Sequence, residues 1–377
     1  MQPSSSPNTP QSTNPTTSNP TTQERRAASA TTGQAANFLR SLGWQRTTPE
    51  NPESVGRVVR HDRAGWTVST IHGDLLSTLR GRLRSSLSAI DVPSVGDWVE
   101  VAARPAEQRA TIEAVLPRST ALIRKAAGTT SEPQVVAANV DLVFVTVPGD
   151  APPNPRRVER ELVTVWESGA APVIVATKAD VGNDIEWIET VSMGTPVVPV
   201  DAFSPESVAA LDTFLHPGVT VVLLGPSGAG KSTLANSLLG ASYLDTGDVR
   251  ESDHRGRHTT TRRELVRLLG GALLIDTPGI RELSLWDTPT GLANTFADVE
   301  EIVASCRFSN CSHSGEPGCA LAAALSDGSL ERGRLNSWNK LQREAAHQAR
   351  RNDHRLNAEE RKKWSQVSKA AKRRARP

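Results

Sequence analysis

A chain of 377 residues with 43 Lys/Arg against 41 Asp/Glu, a formal net charge of +2, and 37% hydrophobic residues has the composition of a water-soluble protein long enough for two or three domains. The charge is unevenly spread: residues 331–377 hold 15 Lys/Arg against 5 Asp/Glu, leaving the first 330 residues with 28 against 36 and gathering the basic charge at one end. No apolar run approaches the roughly 18–20 residues of a membrane span and no leader pattern opens the chain, so a cytoplasmic protein without a membrane partner is expected.

Residues 1–33, beginning MQPSSSPNTPQSTNPTTSNPTTQ, have almost nothing apolar to bury and read as a disordered extension. Residues 34–118 contain, from about Val55, the short alternating runs GRVVRHD, GWTVSTI, LLSTLRGRLR, GDWVEVAA and ATIEAVLPR, separated by Gly, Pro and Asp. Strands at this spacing predict a small OB-like β-barrel after a leading segment. Arg80, Arg82 and Arg84 alternate along the third run, so on a strand they would share a face, either solvated or turned to nucleic-acid phosphates.

Residues 119–290 read as an α/β domain. DLVFVTV, PVIVAT, TPVVPV, VTVVLLG and GALLID are apolar without alternation, as strands of a mainly parallel sheet are when both faces are covered. Asn154 before Pro155 and Ser204 before Pro205 each pair a capping side chain with a proline suited to the first helical turn. Residues 291–345 read as a polar helical domain with a short apolar stripe at Leu335, Trp338 and Leu341, and residues 346–377 as a basic tail.

PVIVAT runs into Thr177, Lys178, Ala179 and Asp180. An aspartate there can accept two parallel hydrogen bonds from guanine N1–H and N2–H while the lysine stem lies along the base; alternatively, Asp180 caps the next helix. Asn is the usual first letter of such a loop, so Thr177 is a departure. GPSGAGKS follows the strand VTVVLL: Gly225, Pro226, Ser227, Gly228, Ala229, Gly230, Lys231 and Ser232 fit G-x-x-x-x-G-K-[ST], and Thr233 continues into a helical pattern. In such a loop backbone N–H groups curl around phosphates, Lys231 reaches the β/γ oxygens and the Ser232 hydroxyl can ligate Mg²⁺. GRHTTT places Thr259 or Thr260 to complete the Mg²⁺ sphere beside His258. In GALLIDTPG, Asp276 can hold the Mg²⁺ hydration shell and Gly279 can offer its N–H to the γ-phosphate.

All three cysteines fall in CRFSNCSHSGEPGC, an odd number in one short segment, which favours metal binding in a reducing compartment over disulfides. Cys306, Cys311, His313 and Cys319 form a closed set for one structural Zn²⁺, with buried bystander cysteines as the alternative.

TKAD ahead of GPSGAGKST, GRHTTT and DTPGIRE, then CRF-x-x-C-x-H-x-x-EPGC, resembles the circularly permuted bacterial family called ribosome small subunit-dependent GTPase A, as do LPR at 116–118 and AANVD at 137–141. The resemblance covers roughly residues 55–345. It implies an OB-fold domain, a permuted GTPase domain and a zinc-binding helical domain that dock on the small ribosomal subunit and its rRNA late in maturation. It further implies slow GTP hydrolysis, forming GDP, that the subunit stimulates; the oligomeric state is left open by the sequence, with a monomer the simplest expectation. Ile280 stands where many GTPases have a water-orienting glutamine, so His258 is the expected water-orienting residue. The competing functions are an ATPase or kinase on the same P-loop and a nucleotide-gated RNA adaptor with negligible hydrolysis.

Overall fold

The computed structural model describes residues 33–62, 64–125, 133–181, 186–240, 263–276, 290–313 and 316–352. The proposed disordered extension up to residue 32 and the basic segment beyond 352 lie outside them. A helix over 33–41 (α1) leads into the barrel strands β1 (Val55–Asp62), β2 (Gly65–Thr70), β3 (Gly73–Leu79), β4 (Trp98–Arg104) and β5 (Arg109–Val115). β1, β2 and β3 pair antiparallel, β3 runs parallel to β5, and β4 pairs with both β5 and β1, which closes the five strands into the expected OB-like barrel. The alternation drives it: Val58, Val68, Leu75, Val99, Val101, Ala110 and Ile112 turn inward to one core.

The LLSTLRGRLR expectation is corrected. β3 stops at Leu79, and Gly81–Ser86 winds into a short helix, α2. Leu83 of this turn packs against the barrel core, and Arg80 pairs with Glu113 of β5. The three arginines therefore share no strand face.

A separate hairpin, β6 (Ala121–Lys125) with β7 (Pro133–Ala138), precedes the α/β sheet. That sheet contains β8 (Leu142–Pro148), β9 (Ala171–Thr177), β10 (Val197–Val200), β11 (Thr220–Leu224), β12 (Arg263–Arg267) and β13 (Leu273–Asp276), ordered β10-β9-β8-β11-β13-β12. Every pair is parallel except β12 with β13. Val143, Val145 and Val147 pack under α3 (Pro155–Glu167) and α4 (Glu186–Ser192). Phe144, Val173 and Val175 face α6 (Lys231–Leu239) on the other side. Both caps form: Asn154 accepts from the Arg157 N–H, and Ser204 from the Ser207 N–H ahead of α5 (Pro205–Val208).

β12 also pairs antiparallel with β1, so barrel and α/β sheet are hydrogen-bonded into one sheet of eleven strands. Arg57 of β1 is 1% exposed beside this joint. Its guanidinium donates to Gly96 O (3.1 Å), Leu42 O, Asn139 O (2.9 Å) and Thr220 Oγ1 (2.9 Å), reaching the leading segment, the barrel and two stretches of the α/β domain. Trp98 lies 5.1 Å below it, and Trp44 meets Trp98 edge-on. Burial lowers the Arg57 pKa to about 10, opposed by Asp141 and then Asp97, so it stays charged at neutral pH.

The C-terminal module comprises α7 (Thr290–Thr295), α8 (Ala297–Ala304), α9 (Ala320–Asp327) and α10 (Arg332–Asn352). Phe296, Val299, Leu321, Trp338 and Leu341 pack together with Val163 of α3, so the predicted stripe is buried as expected. Arg334 of α10 donates to Asp298 through two nitrogens, to Thr295 O (2.7 Å) and to Glu159 of α3 (2.8 Å).

Arg57→Met would leave three carbonyls and a hydroxyl without their buried donor. It should cost about 3–5 kcal/mol, read as a lowered urea midpoint; an unchanged midpoint would remove Arg57 from this role.

Candidate nucleotide site and metal centre

β11 lies between β8 and β13, with β9 and β10 beyond β8, and all five run parallel. Their carboxyl ends therefore share one edge, where open α/β sheets bind ligands. The loop from Gly225 to Gly230 joins β11 to α6 at that edge. Gly225 has φ 147°, and a Cβ there would sit 2.2 Å from Thr146 Oγ1, so both conformation and contact demand glycine. Gly230 has φ 74° and caps α6. The turn leaves the first N–H groups of α6 pointing outward, with Ser232 exposed beside them. Lys231 Nζ folds back onto the carbonyls of Gly225 (2.8 Å) and Pro226 (2.5 Å).

Thr177 ends β9, Lys178 leaves it with φ 60°, and Ala179–Val181 make a single helical turn that exposes Asp180. Lys178 Nζ pairs with Asp150 Oδ2 at 2.5 Å, across the loop after β8. Thr177 is fully buried, and its hydroxyl donates to Ala229 O at 2.9 Å, 52 positions along the chain. The TKAD loop and the P-loop therefore touch, although their order in the chain is reversed.

The loop after β10 escaped the sequence reading. Val200 is in register with Thr177, which puts Asp201, Ala202 and Phe203 beside the TKAD loop. Ser237 of α6 donates to Ala202 O, Asp201 Oδ1 accepts the Phe203 N–H (2.9 Å), and the Phe203 ring is 84% exposed. The available signal was topological: a further parallel strand next to β9 must end at the same edge.

Asp276 closes β13 opposite Glu264, beside β11, which brings its backbone to this edge. His258, Thr259, Thr260 and Gly279 lie outside the described residues. On the flank, Glu161 of α3 is largely buried, 3.8 Å from Arg157, and one of its oxygens has no hydrogen-bond partner among the described residues.

The second centre is in the helical module. The ligand atoms of Cys306, Cys311, His313 and Cys319 all lie within 4.8 Å of one another. His313 Nδ1 is 3.6 Å from Cys306 Sγ and 3.7 Å from Cys319 Sγ. Tetrahedral Zn²⁺ with Zn–S of about 2.3 Å and Zn–N of about 2.0 Å spaces its ligands by roughly 3.6–3.8 Å, so these atoms fit such an ion. His313 adopts φ 59°, the Ala320 N–H donates to Cys306 Sγ (3.4 Å), and Trp338 packs on the His313 ring at 6.3 Å. The group can hold a metal ion such as zinc.

The chain is similar to known proteins over most of its length. The RsgA GTPase family model matches residues 115–286, and an ABC transporter model matches 208–375, a span that includes the P-loop. A protein of Oceanobacillus iheyensis named Small ribosomal subunit biogenesis GTPase RsgA 1 is 44% identical over 321 residues, 83% of this chain and 91% of its own. An Opitutus terrae protein named Small ribosomal subunit biogenesis GTPase RsgA is 43% identical over 361 residues, 90% of this chain and 98% of its own. The crystal structure of YjeQ from Thermotoga maritima aligns with TM-score 0.56 at 26% identity, covering 78% of this chain and 98% of that one. YloQ, titled a circularly permuted GTPase, has the same fold, with TM-score 0.54 at 23% identity over 78% and 95% of the two chains.

Burial pushes the Glu161 pKa up from 4.5 to about 7, with Arg157 and then Lys231 pulling it back. Between those values the folded state holds a proton that the unfolded chain releases. This group therefore makes stability fall as pH rises from about 4.5 to 7, by up to about 3 kcal/mol. Glu161→Gln should flatten that part of the stability profile, measured as urea midpoints from about pH 5 to 8.

Proposed function

The chain belongs to the RsgA GTPase family, and from that premise we propose that it is a cytoplasmic GTP hydrolase acting in biogenesis of the small ribosomal subunit, whose rRNA it contacts. The observation that carries this reading is the junction of the TKAD loop with the P-loop through Thr177 and Ala229. It supports a site in which Asp180 would read guanine and the loop from Gly225 to Gly230 would cradle phosphates on one sheet edge. A plain ATPase or kinase has no use for the former.

In this reading Asp180 pairs with guanine N1–H and N2–H, and the Lys178 stem lies against the base. Asp201 to Phe203 form the neighbouring wall. The N–H groups from Gly228 to Thr233 hold the phosphates, and Lys231 exchanges its two carbonyl partners for β/γ oxygens. Ser232, with Thr259 or Thr260, would ligate Mg²⁺ and Asp276 would hold its hydration shell, the ion neutralising charge on the phosphates when bound, and the Gly279 N–H would meet the γ-phosphate. His258 orients the attacking water in place of Ile280. The P-loop and TKAD sit in the permuted domain at 119–290, between the barrel at 34–118 and the zinc module at 291–345, and the basic tail at 346–377 approaches rRNA phosphates.

GTP turnover measured with and without purified small subunits tests this reading. The wild-type chain should be strongly stimulated and His258→Ala should lose the stimulation while still binding GTP; absence of stimulation in wild type would favour the nucleotide-gated adaptor. For the metal centre, Cys319→Ser or strong chelation should release about one zinc per chain and lower the unfolding midpoint of the helical module. Bound zinc is read by elemental analysis, and a wild-type chain purified without zinc would refute the assignment.

A further inference from the structure

Of the segment EPGC only Cys319 belongs to the Cys/His group, yet the turn this segment makes is hydrogen-bonded to backbone beside every member of that group. The Cys319 N–H donates to Glu316 O at 3.1 Å, and Pro317 followed by Gly318 with φ 79° is the type II pattern. The Arg307 N–H, next to Cys306, donates to Gly318 O at 3.1 Å. The Glu316 carboxylate reaches the other two members. Its Oε1 accepts the Ser312 N–H at 3.0 Å and the Ser312 hydroxyl, and its Oε2 lies 3.7 Å from Cys311 Sγ. Ser312 is the residue between Cys311 and His313.

Electrostatics alone would not put a carboxylate here. Three thiolates with a neutral imidazole carry three negative charges, of which a dication offsets two, so a further anion beside Cys311 opposes metal loading. The Cys311 thiol can donate to Glu316 only while it keeps its proton, and a thiolate ligand has none. The bonds that need no thiol proton are the pair from Ser312, and their effect is geometric: they fix the peptide that joins Cys311 to His313. His313 itself has φ 59°, a left-handed conformation that costs a non-glycine residue and persists only where its surroundings hold it.

We propose that Glu316 is a positioning residue for the metal. Through its own carbonyl it fixes Cys319, and through its carboxylate it locks the loop carrying Cys311 and His313 onto the same turn, in the spacing a tetrahedral ion requires. The inference rests on the zinc reading above and deepens it. Glu316 acts as an acceptor of a given length, and its charge is incidental. Glutamine, of the same length and with one acceptor oxygen, therefore replaces it, whereas aspartate, one methylene shorter, does not.

The test is the zinc affinity of the full chain, measured by competition with a metallochromic chelator, for wild type, Glu316→Ala, Glu316→Asp and Glu316→Gln. Losing an outer-shell hydrogen-bonding partner costs about 10–100-fold in metal affinity. Glu316→Ala and Glu316→Asp should weaken zinc by about that factor, and Glu316→Gln should stay close to wild type. Glu316→Ala binding zinc as tightly as wild type, or more tightly, would overturn the proposal, as would Glu316→Gln losing as much as Glu316→Ala. A role confined to the stability of the helical module would lower the unfolding midpoint and leave zinc affinity unchanged, which is the same refuting result. If Glu316→Ala fails to fold, Glu316→Asp against Glu316→Gln makes the same comparison. A wild-type chain that holds no zinc would defeat the zinc reading itself, whereas wild-type binding with unaltered variants would defeat this inference alone.

Discussion

The guanidinium of Arg57 is the constraint on which the relation between barrel and α/β sheet depends. A buried charge of this size is costly unless its donors are nearly all used, and here they reach carbonyls of Leu42, Gly96 and Asn139 and the Thr220 hydroxyl. Those four acceptors come from parts of the chain that share no local structure, and they must converge within about 3 Å of one side chain. Once they do, the start of β11 is fixed against the barrel. Asn139, itself in a left-handed conformation, fixes the approach to β8: its side chain donates to Gly96 O and accepts from Ser119. The two strands that flank the start of the P-loop are thus positioned from the barrel side. Arg118 reinforces the arrangement through two bonds to buried Asp97, two residues before Val99 on the barrel wall.

Chain order matters little to the site because strand ends, and not sequence neighbours, assemble it. The sheet accepts β8, β9 and β10 before β11 because each connection still crosses with a helix on one face, and the parallel register survives. This is why TKAD could precede the P-loop without losing its place beside it. Thr177 looked like a weakened asparagine in the sequence; in three dimensions it is short enough to be fully buried and still reach Ala229 O.

Most of the framework was legible because burial leaves a strong periodic trace. The five apolar runs of the α/β domain, the alternating barrel strands, the two caps followed by proline and the Cys/His group all follow from patterns read over a few residues. What escaped had local signals that competed or were weak. β12 reads Arg-Glu-Leu-Val-Arg, too charged for a core strand, because it pairs antiparallel with β13 on one side and barrel strand β1 on the other. The β6–β7 hairpin is a small sheet of its own. Arg80 to Arg84 alternated as a strand should, but Gly81 weakens a strand and the chain there winds into a turn of helix whose Leu83 packs on the barrel core. The loop Asp201 to Phe203 carries no motif, and only the register of β10 with β9 brings it to the site.

The helical module is joined to the α/β domain by a contact of the same kind as Arg57. Arg334 lies over the Phe296 ring at 4.4 Å and binds Glu159 of α3 and Asp298 of α8, both from its own buried position. Replacing Arg334 while the module stays docked would leave Glu159, which is 2% exposed, buried without its partner, and such uncompensated burial costs roughly 3–5 kcal/mol. Arg160 of the same helix pairs with Glu344, and Val163 belongs to the module's core. A module fastened at three residues of α3 within about one turn cannot swing freely on that helix. Any reorientation linked to the nucleotide must therefore carry α3 with it, or first break the Arg334 bonds. α10 also carries Trp338 against His313 of the Cys/His group. The Cys/His group and α3 are thus connected through α10 and one buried arginine.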